Sequence, residues 1–393
     1  MLTSLALVFL CGLLLGSIFQ KLKLPSLLGM LLTGILLGPY VLNLLDGSLL
    51  SISPDLREMA LVIILLKAGL SLDLDDLKKV GRPAVLMCFL PATMEIAAFL
   101  LFGPALLHVS LLEAGILGAV MGAVSPAVIV PKMSRMMEEG LGTEKGIPQM
   151  IIAGSSADDV YVIVLFTALV SLAGGGSASV MDFVQIPVSI ILGILLGAGS
   201  GLLLTKFFQT LHMRDSVKVL ILLSVSFLFL ALENLLEGRV SVSGLLAVMS
   251  MGVTLFNRYG LLARRISGKF SKLWVAAEVI LFVLVGATVD IHYAANAGAA
   301  VVLMLAAGLV FRLAGTYLCV VGTPLNRKER VFCMLAQVPK ATVQAAIGGV
   351  PLAAGLACGQ IVLTVAVIAI LITAPLGAFL IDFTAKRFLQ KAG

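Results

Sequence analysis

The chain has 393 residues, of which 60% are hydrophobic and only 12% are charged. Soluble domains carry about 25% charged residues, so this composition excludes a large soluble domain and predicts an all-α polytopic membrane protein. The five cysteines and three histidines are scattered, which argues against a disulfide framework or a metal centre, and the net charge of +6 is distributed over loops rather than in a nucleic-acid-binding patch.

Thirteen apolar segments follow one another along the chain, most of them near the length of about 20 residues that a membrane-spanning helix needs. The first is predicted to be a retained helix rather than a signal peptide, because Lys21 and Lys23 follow it instead of preceding it. We therefore predict about 13 transmembrane helices. In chain order the segments lie approximately at 3–19, 25–43, 57–72, 83–106, 110–132, 148–173, 184–207, 217–236, 241–257, 271–289, 297–321, 330–350 and 360–384.

The basic residues of the loops are distributed unequally between the two sides of this arrangement. One set of alternate loops, with the C-terminal tail, holds 22 of the 27 Lys and Arg residues, whereas the other set holds only Arg57 and Arg239. Cytoplasmic loops carry the excess of Lys and Arg, so the N-terminus is predicted outside and the C-terminus in the cytoplasm. The short tails and regular alternation favour the inner (cytoplasmic) membrane of a bacterium.

Two adjacent acids, Asp158 and Asp159, lie in an otherwise uncharged apolar segment at 148–174. A carboxylate near the bilayer centre costs roughly 2.5–3.5 kcal/mol on insertion scales, and two neighbouring carboxylates also repel each other. The pair therefore predicts a proton or cation site. A structural acid satisfied by a neighbouring helix is the alternative, although a structural role seldom needs two acids.

Five further charged residues fall well inside predicted spans, whereas Glu113 and Glu233 lie nearer span ends. The five are Lys67, Glu95, Glu278, Arg312 and Lys340. Opposite charges at that depth predict ion pairs across helices, because each unpaired ion would be very costly. Lys340 is expected to compensate the ends of a broken helix, to compete with a bound cation, or to be the counter-charge of Asp158. Lys67 and Glu278 are expected to form a structural ion pair or to lie at a dimer interface.

The thirteen spans divide into six, one and six, and the two six-helix blocks then have opposite orientations, as in an inverted repeat. Helix-breaking residues support this division. Pro126 and Pro131 lie in the fifth span; its counterpart, the twelfth, contains Pro339 and is followed directly by Pro351. Interruptions at equivalent positions predict two broken helices at a transport site; the alternative is that membrane helices tolerate Pro and Gly without a functional role.

Four segments also resemble those of a known family. They are residues 57–73, AVSPAVIVPKM at 123–133, AGSSADDV at 153–160 and VPKATVQAAIG at 338–348. With them the chain resembles the monovalent cation/proton antiporter superfamily over about residues 25–385. It is especially similar to the sodium/hydrogen exchanger 9B (NHA) type and its bacterial relatives.

This resemblance implies a homodimer in which each chain has two domains. The dimerisation scaffold would comprise 1–82 and 210–295, and the ion-transporting core would comprise 83–173 and 296–393, with a linker helix at 174–209. The two broken helices, in the fifth and twelfth spans, would cross near the aspartates, and the core would move against the scaffold in the manner of an elevator.

The resemblance also implies roles for four charged residues. Asp159 matches the principal ion-binding carboxylate of the family, and Asp158 matches its acidic neighbour. Arg312 occupies the place of a membrane-embedded Lys or Arg, and Glu95 the place of its proposed partner. Because a guanidinium does not readily lose its proton, Arg312 is expected to be a structural partner of Glu95 rather than a proton carrier.

Exchange requires a group that binds either a proton or a small cation, and a carboxylate does so. We predict that Asp159 is this group and binds Na⁺ or Li⁺, both of which prefer oxygen ligands. Carbonyls freed at the helix breaks are expected to contribute, together with hydroxyl groups that could instead serve helix packing: Ser125, Ser155, Ser156 and Thr342. With either ion bound, the core would be near neutral and could cross the apolar scaffold. With an empty, charged site it could not cross.

The sequence thus predicts a secondary antiporter, not an enzyme, that exchanges Na⁺ or Li⁺ for protons in pH homeostasis. Its expected partners are the lipid bilayer, the cation and the proton, with no cofactor, nucleotide or nucleic acid. A K⁺/H⁺ exchanger or a channel-like cation efflux protein of the same superfamily is the main alternative. An intramembrane aspartyl protease is disfavoured because the two acids are adjacent on one helix, and an organic-anion carrier because buried acids would repel its substrate.

Overall fold

The computed structural model describes residues 1–71, 81–174, 180–211, 213–236 and 242–391, with the side chains of 156–157, 180–187 and 296–297 not described. Arg239, one of the two basic residues predicted outside, lies beyond these ranges. The described residues form α-helices joined by short loops. The helices are α1 Leu2–Lys21, α2 Ser26–Leu37, α3 Gly47–Ser51, α4 Ser53–Gly69, α5 Arg82–Met87, α6 Leu90–Leu107, α7 Leu111–Gly122, α8 Pro126–Glu138, α9 Ile147–Gly174, α10 Val180–Thr210, α11 Asp215–Leu236, α12 Gly244–Arg258, α13 Gly260–Ala287, α14 Ile291–Val320, α15 Arg327–Ala336, α16 Thr342–Ile347, α17 Val350–Ala353 and α18 Gly359–Phe388.

Nine helical segments of the described chain are long and apolar enough to cross a membrane, which identifies a multi-pass membrane protein. The other four predicted spans fall on shorter helical pieces. Two are single helices of 17 and 15 residues, α4 and α12. The other two are the short helix α2 and the interrupted series from α15 to α17. The count of thirteen spans therefore stays a prediction.

Helix starts are fixed by local capping residues that are visible in the sequence. Ser110 and Glu113 form a capping box at the start of α7, and Asn326 and Glu329 form another at the start of α15. Asp290 accepts hydrogen bonds from two backbone N–H groups at the start of α14. Of these three helices, α14 carries the buried Arg312.

The chain divides into two compact units. Unit 1 comprises Met1–Pro54, Asp76–Val162 and Val279–Gly393, and unit 2 comprises Asp55–Asp75 and Ile163–Glu278. These limits differ from the predicted scaffold, core and linker boundaries, which stay a prediction.

Within unit 1, helices pack closely because small residues face their neighbours. Helix α14 packs along α6, and α6 packs along α7. A Cβ atom added at Gly34 of α2 would collide with the carbonyl of Val283, and one added at Gly286 would collide with the carbonyl of Leu31. Such close backbone approach is typical of membrane helix packing.

Within unit 2, helix α10 packs along α12 through a row of glycines spaced by four residues. A Cβ at Gly193 would lie 2.6 Å from the carbonyl oxygen of Ser243, and one at Gly197 would collide with the carbonyl of Ala247. Lys67 and Glu278 both lie in this unit, but their side chains form no direct ion pair in the described part of the chain. The structural ion pair expected from the sequence is therefore not formed, and the alternative, a place at a dimer interface, stays a prediction.

Candidate functional site: two helix breaks around a buried charge cluster

Two interruptions of helical structure face each other inside unit 1. Helix α7 ends at Gly122 and α8 begins at Pro126, while α15 ends at Ala336 and α16 begins only at Thr342. Proline cannot donate the helical hydrogen bond and pushes the preceding residue into extended backbone, so each break follows from its sequence. The two breaks are joined directly, because the backbone N–H of Ser125 donates to the carbonyl of Pro339 at 2.9 Å. The predicted pair of broken helices is thus present and in contact.

Arg312 of α14 is completely buried at this junction and uses all three guanidinium nitrogens. Its Nη1 donates to Glu95 Oε2 at 2.9 Å and to the carbonyl of Gly122. Its Nη2 donates to Asp158 Oδ2 at 2.8 Å and to Gln337 Oε1 at 3.0 Å. Its Nε donates to the carbonyl of Gln337 at 2.7 Å. The planar fork of an arginine suits such a multiply bridged position.

Lys340, also buried, completes the cluster of buried charges. Its Nζ donates to Glu95 Oε2 at 2.6 Å and to the carbonyl of Met121. The ion pair of Lys340 is therefore with Glu95, whereas Asp158 takes Arg312 as its ion-pair partner. The expectation that Lys340 is the counter-charge of Asp158 is corrected, because the chain path between α15 and α16 directs the lysine to the end of α7. The expectation that it compensates a broken helix agrees with the contact to Met121.

The end of α7 leaves carbonyl groups without helical partners, and side chains donate hydrogen bonds to them. Gln344 Nε2 donates to the carbonyls of Val120 and Ala123 at 3.0 and 2.9 Å. The carbonyls of the two residues between these accept from Lys340 and Arg312. The carbonyl end of a helix carries partial negative charge, which explains why two cations and an amide collect there. These freed carbonyls, expected to serve as cation ligands, are engaged by protein groups in this structure.

Asp158 and Asp159 are adjacent on α9 but have different surroundings. Both donors to Asp158 reach the same oxygen, Oδ2: Arg312 at 2.8 Å and the backbone N–H of Val124 at 3.2 Å. Asp159 is 8% exposed, and its Oδ1 is buried without a hydrogen-bond partner in the described chain. Asp159 is therefore the acid whose charge the protein leaves without an ion-pair partner among the described residues.

The predicted hydroxyl ligands are placed as follows. Ser125 Oγ and Thr342 Oγ1 lie 3.5 Å apart and bridge the two breaks. Ser155 Oγ donates back to the carbonyl of Ile152 at 3.1 Å, as helix-packing hydroxyls often do. The side chain of Ser156 lies outside the described residues. The described residues hold no group of three or more His, Cys, Asp or Glu side chains arranged for a metal ion, and Na⁺ binding at Asp159 stays a proposal.

Three buried polar residues of the site were not singled out from the sequence. Gln337 accepts hydrogen bonds from Arg312, and Gln344 donates to carbonyls at the end of α7. Thr373 Oγ1 accepts the backbone N–H of Lys340 at 2.9 Å. The signal that could have found the glutamines is a large amide in an apolar span, because a buried amide requires hydrogen-bond partners. Threonine gives no such signal, since its hydroxyl can bond to its own helix.

The chain matches the family described as "Sodium/hydrogen exchanger, transmembrane" over residues 5–387. It belongs to the sodium/hydrogen exchanger family. The sodium/hydrogen exchanger 9B2 of Mus musculus is 33% identical over 401 residues, which cover 98% of this chain and 73% of the mouse protein. The sodium/hydrogen exchanger 9B1 of Homo sapiens is 31% identical over 413 residues, which cover 99% of this chain and 78% of the human protein.

A solved structure shows the same fold as this member of the exchanger family. The sodium proton antiporter MjNhaP1 from Methanocaldococcus jannaschii superimposes with a TM-score of 0.85 at 22% sequence identity, and the match covers 98% of each chain. These comparisons confirm the family resemblance stated from the sequence. Sodium/hydrogen exchangers are transporters, so this family member is a membrane transporter and not an enzyme.

Proposed function

We propose that this exchanger-family member is a secondary antiporter that carries Na⁺ or Li⁺ in one direction and protons in the other. The observation that carries the proposal is the contrast between the two acids. Glu95, Asp158, Arg312 and Lys340 form one formally neutral cluster of two acids and two bases, whereas Asp159 remains buried and without an ion-pair partner among the described residues. A proton or a monovalent cation would neutralise Asp159 equally well.

The mechanism follows from the cost of a buried charge. Empty Asp159 would carry an uncompensated carboxylate through the apolar part of the protein, at roughly 2.5–3.5 kcal/mol on insertion scales. Binding of one H⁺ or one Na⁺ removes that penalty, so only the occupied site crosses. Cation and proton therefore compete for one carboxylate, and net movement of one requires return of the other. The transported ions are substrates, and no cofactor takes part in this scheme.

Elevator-type alternating access is the movement that we propose for this exchange, with the broken helices and Asp159 moving as one body. The hydrogen bonds within unit 1 support that body. The N–H of Ser125 is tied to Pro339, and both breaks are tied to Arg312. We also propose that the functional form is a homodimer in the inner membrane, with the N-terminus outside and the C-terminus in the cytoplasm, as the distribution of basic residues indicates.

An internal inverted repeat is proposed on matching hydrogen bonds at the two breaks. At the first break, the N–H of Val124 donates to the side chain of Asp158 on the following span, 34 residues later. At the second, the N–H of Lys340 donates to the side chain of Thr373 on the following span, 33 residues later. Equivalent bonds at nearly equal spacing are expected from two copies of one six-helix unit.

The experiment that tests the function uses purified protein in liposomes that hold a preset pH gradient. Na⁺, Li⁺ or K⁺ is added outside, and the internal pH is followed by dye fluorescence against protein-free liposomes. We expect Na⁺ and Li⁺ to collapse the gradient. A response to K⁺ alone would make the chain a K⁺/H⁺ exchanger instead. Entry of radioactive Na⁺ without any proton signal would indicate a channel and contradict antiport.

A further inference from the structure

The peptide unit between Ala123 and Val124 lies in the first break and is held at both ends. Its N–H donates to Asp158 Oδ2 at 3.2 Å, and its carbonyl accepts from Gln344 Nε2 at 2.9 Å. The described chain contains no cis peptide bond. In a planar trans peptide the N–H and the C=O point in opposite directions, so fixing one end also orients the other. Gln344 and Asp158 are therefore coupled through one rigid group.

The orientation of the Gln344 amide is determined by its surroundings. The side chain is fully buried on α16, and its nitrogen faces two carbonyl oxygens, those of Val120 and Ala123. A flipped amide would place its oxygen against both carbonyls and lose both hydrogen bonds. Its own oxygen, Oε1, has no donor in the described part of the chain. A buried acceptor without a donor costs free energy, which the two N–H contacts of the amide offset.

We propose that Gln344 is a positioning residue that fixes the carboxylate of Asp158 through the 123–124 peptide and so prepares the neighbouring Asp159 for the cation. Both donors to Asp158 reach Oδ2, which leaves Oδ1 without a partner and in a defined place. Without Gln344 the peptide can rotate, and Asp158 keeps only the guanidinium of Arg312. The carboxylate of Asp158 then has more than one orientation, and the cation must bind beside a less ordered pair of aspartates. This inference rests on the proposed function, since it takes Asp159 as the ion site.

The test is the variant Q344M, which keeps the length and approximate volume of the side chain but removes its N–H donors. The matched control is Q149M, because Gln149 lies on α9 outside the charge cluster and also has a buried Oε1 without a partner. Initial rates of Na⁺-driven proton flux are measured in liposomes over a range of Na⁺ concentrations. Thermal unfolding of both variants is measured in detergent.

We expect Q344M to raise the KM for Na⁺ about fivefold, with the maximal rate within about twofold of wild type. A change of about fivefold is the size expected when one hydrogen bond of modest strength is lost. Q149M should keep the wild-type KM. A wild-type KM in Q344M would overturn the proposal. So would a fall in maximal rate alone that parallels a loss of thermal stability, because that pattern belongs to a purely structural role.

A second variant keeps the proposal testable if Q344M does not fold. Q344H retains one ring N–H, and we expect a rise in KM of about twofold at an unchanged maximal rate. A wild-type KM in Q344H would then overturn the proposal. Absence of any cation-dependent flux in the wild-type protein would instead contradict the proposed function. An active wild type whose KM is insensitive to Gln344 would contradict this inference alone.

Discussion

Replacement of Arg312 by methionine is expected to leave little folded protein in the membrane. The guanidinium contacts Glu95 and Asp158 as well as two backbone carbonyls, and it is 0% exposed. Removing one partner of a buried ion pair costs about 3–5 kcal/mol, a large part of a typical folding free energy of about 5–15 kcal/mol. The measurement is the midpoint of thermal unfolding in detergent, together with the yield of monodisperse protein.

The control for this variant is K132M, which breaks the exposed ion pair of Lys132 with Asp382 and should cost less than about 1 kcal/mol. The double variant R312M/D158N should recover part of the lost stability, because it leaves the balanced pair of Glu95 and Lys340. An unfolding midpoint of R312M equal to that of K132M would show that the cluster of buried charges does not hold the two breaks together.

Replacement of Asp159 by asparagine is expected to reduce cation-dependent proton flux to the level of protein-free liposomes while the protein stays folded. Asparagine neither exchanges a proton nor supplies the charge that a cation neutralises. In D159N a bound cation would have no countercharge in the apolar part of the protein, at a cost of roughly 2.5–3.5 kcal/mol. The expected fall in rate is therefore at least roughly a hundredfold. The thermal unfolding midpoint should stay at or above the wild-type value, because the carboxylate is buried without an ion-pair partner in the described chain.

The matched comparison is D158N, on the adjacent residue. Asp158 accepts from Arg312 and from Val124, so this variant should lower the unfolding midpoint, the opposite of the effect expected at Asp159. Cation-driven flux in D159N above about a tenth of the wild-type rate would remove Asp159 from the mechanism. Loss of stability in D159N rather than in D158N would reverse the roles assigned to the two acids.

Much of this architecture could be predicted because apolar length and proline chemistry act locally. The break before Pro126 and the break that contains Pro339 follow from single residues, and the structure has both. The pairing of Glu95 with Arg312, stated from the family resemblance, is found as a direct ion pair. Pairing of opposite charges at that depth offsets the free-energy cost of burying each ion.

Other features could not be predicted because they depend on the path of the chain through the breaks. The sequence left open whether Lys340 compensates a helix end or pairs with Asp158, and only its position beside α7 shows the contacts to Glu95 and Met121. The amide of Gln344 indicates a need for hydrogen-bond partners, but the carbonyls of Val120 and Ala123 that it contacts are brought beside it only by the path of the chain. The freed carbonyls were expected to bind a cation, but they accept hydrogen bonds from the side chains of Arg312, Lys340 and Gln344.

The measurement that tests the central claim most directly is the dependence of the Na⁺ KM on pH in liposomes that contain the wild-type protein. If Na⁺ and H⁺ compete for Asp159, the KM should rise tenfold for each pH unit below the pH of half-protonation, at a constant maximal rate. Above that pH the KM should become constant, because few protons remain to compete. A Na⁺ KM that is the same across the whole pH range would contradict a shared carboxylate and require separate sites for the two ions.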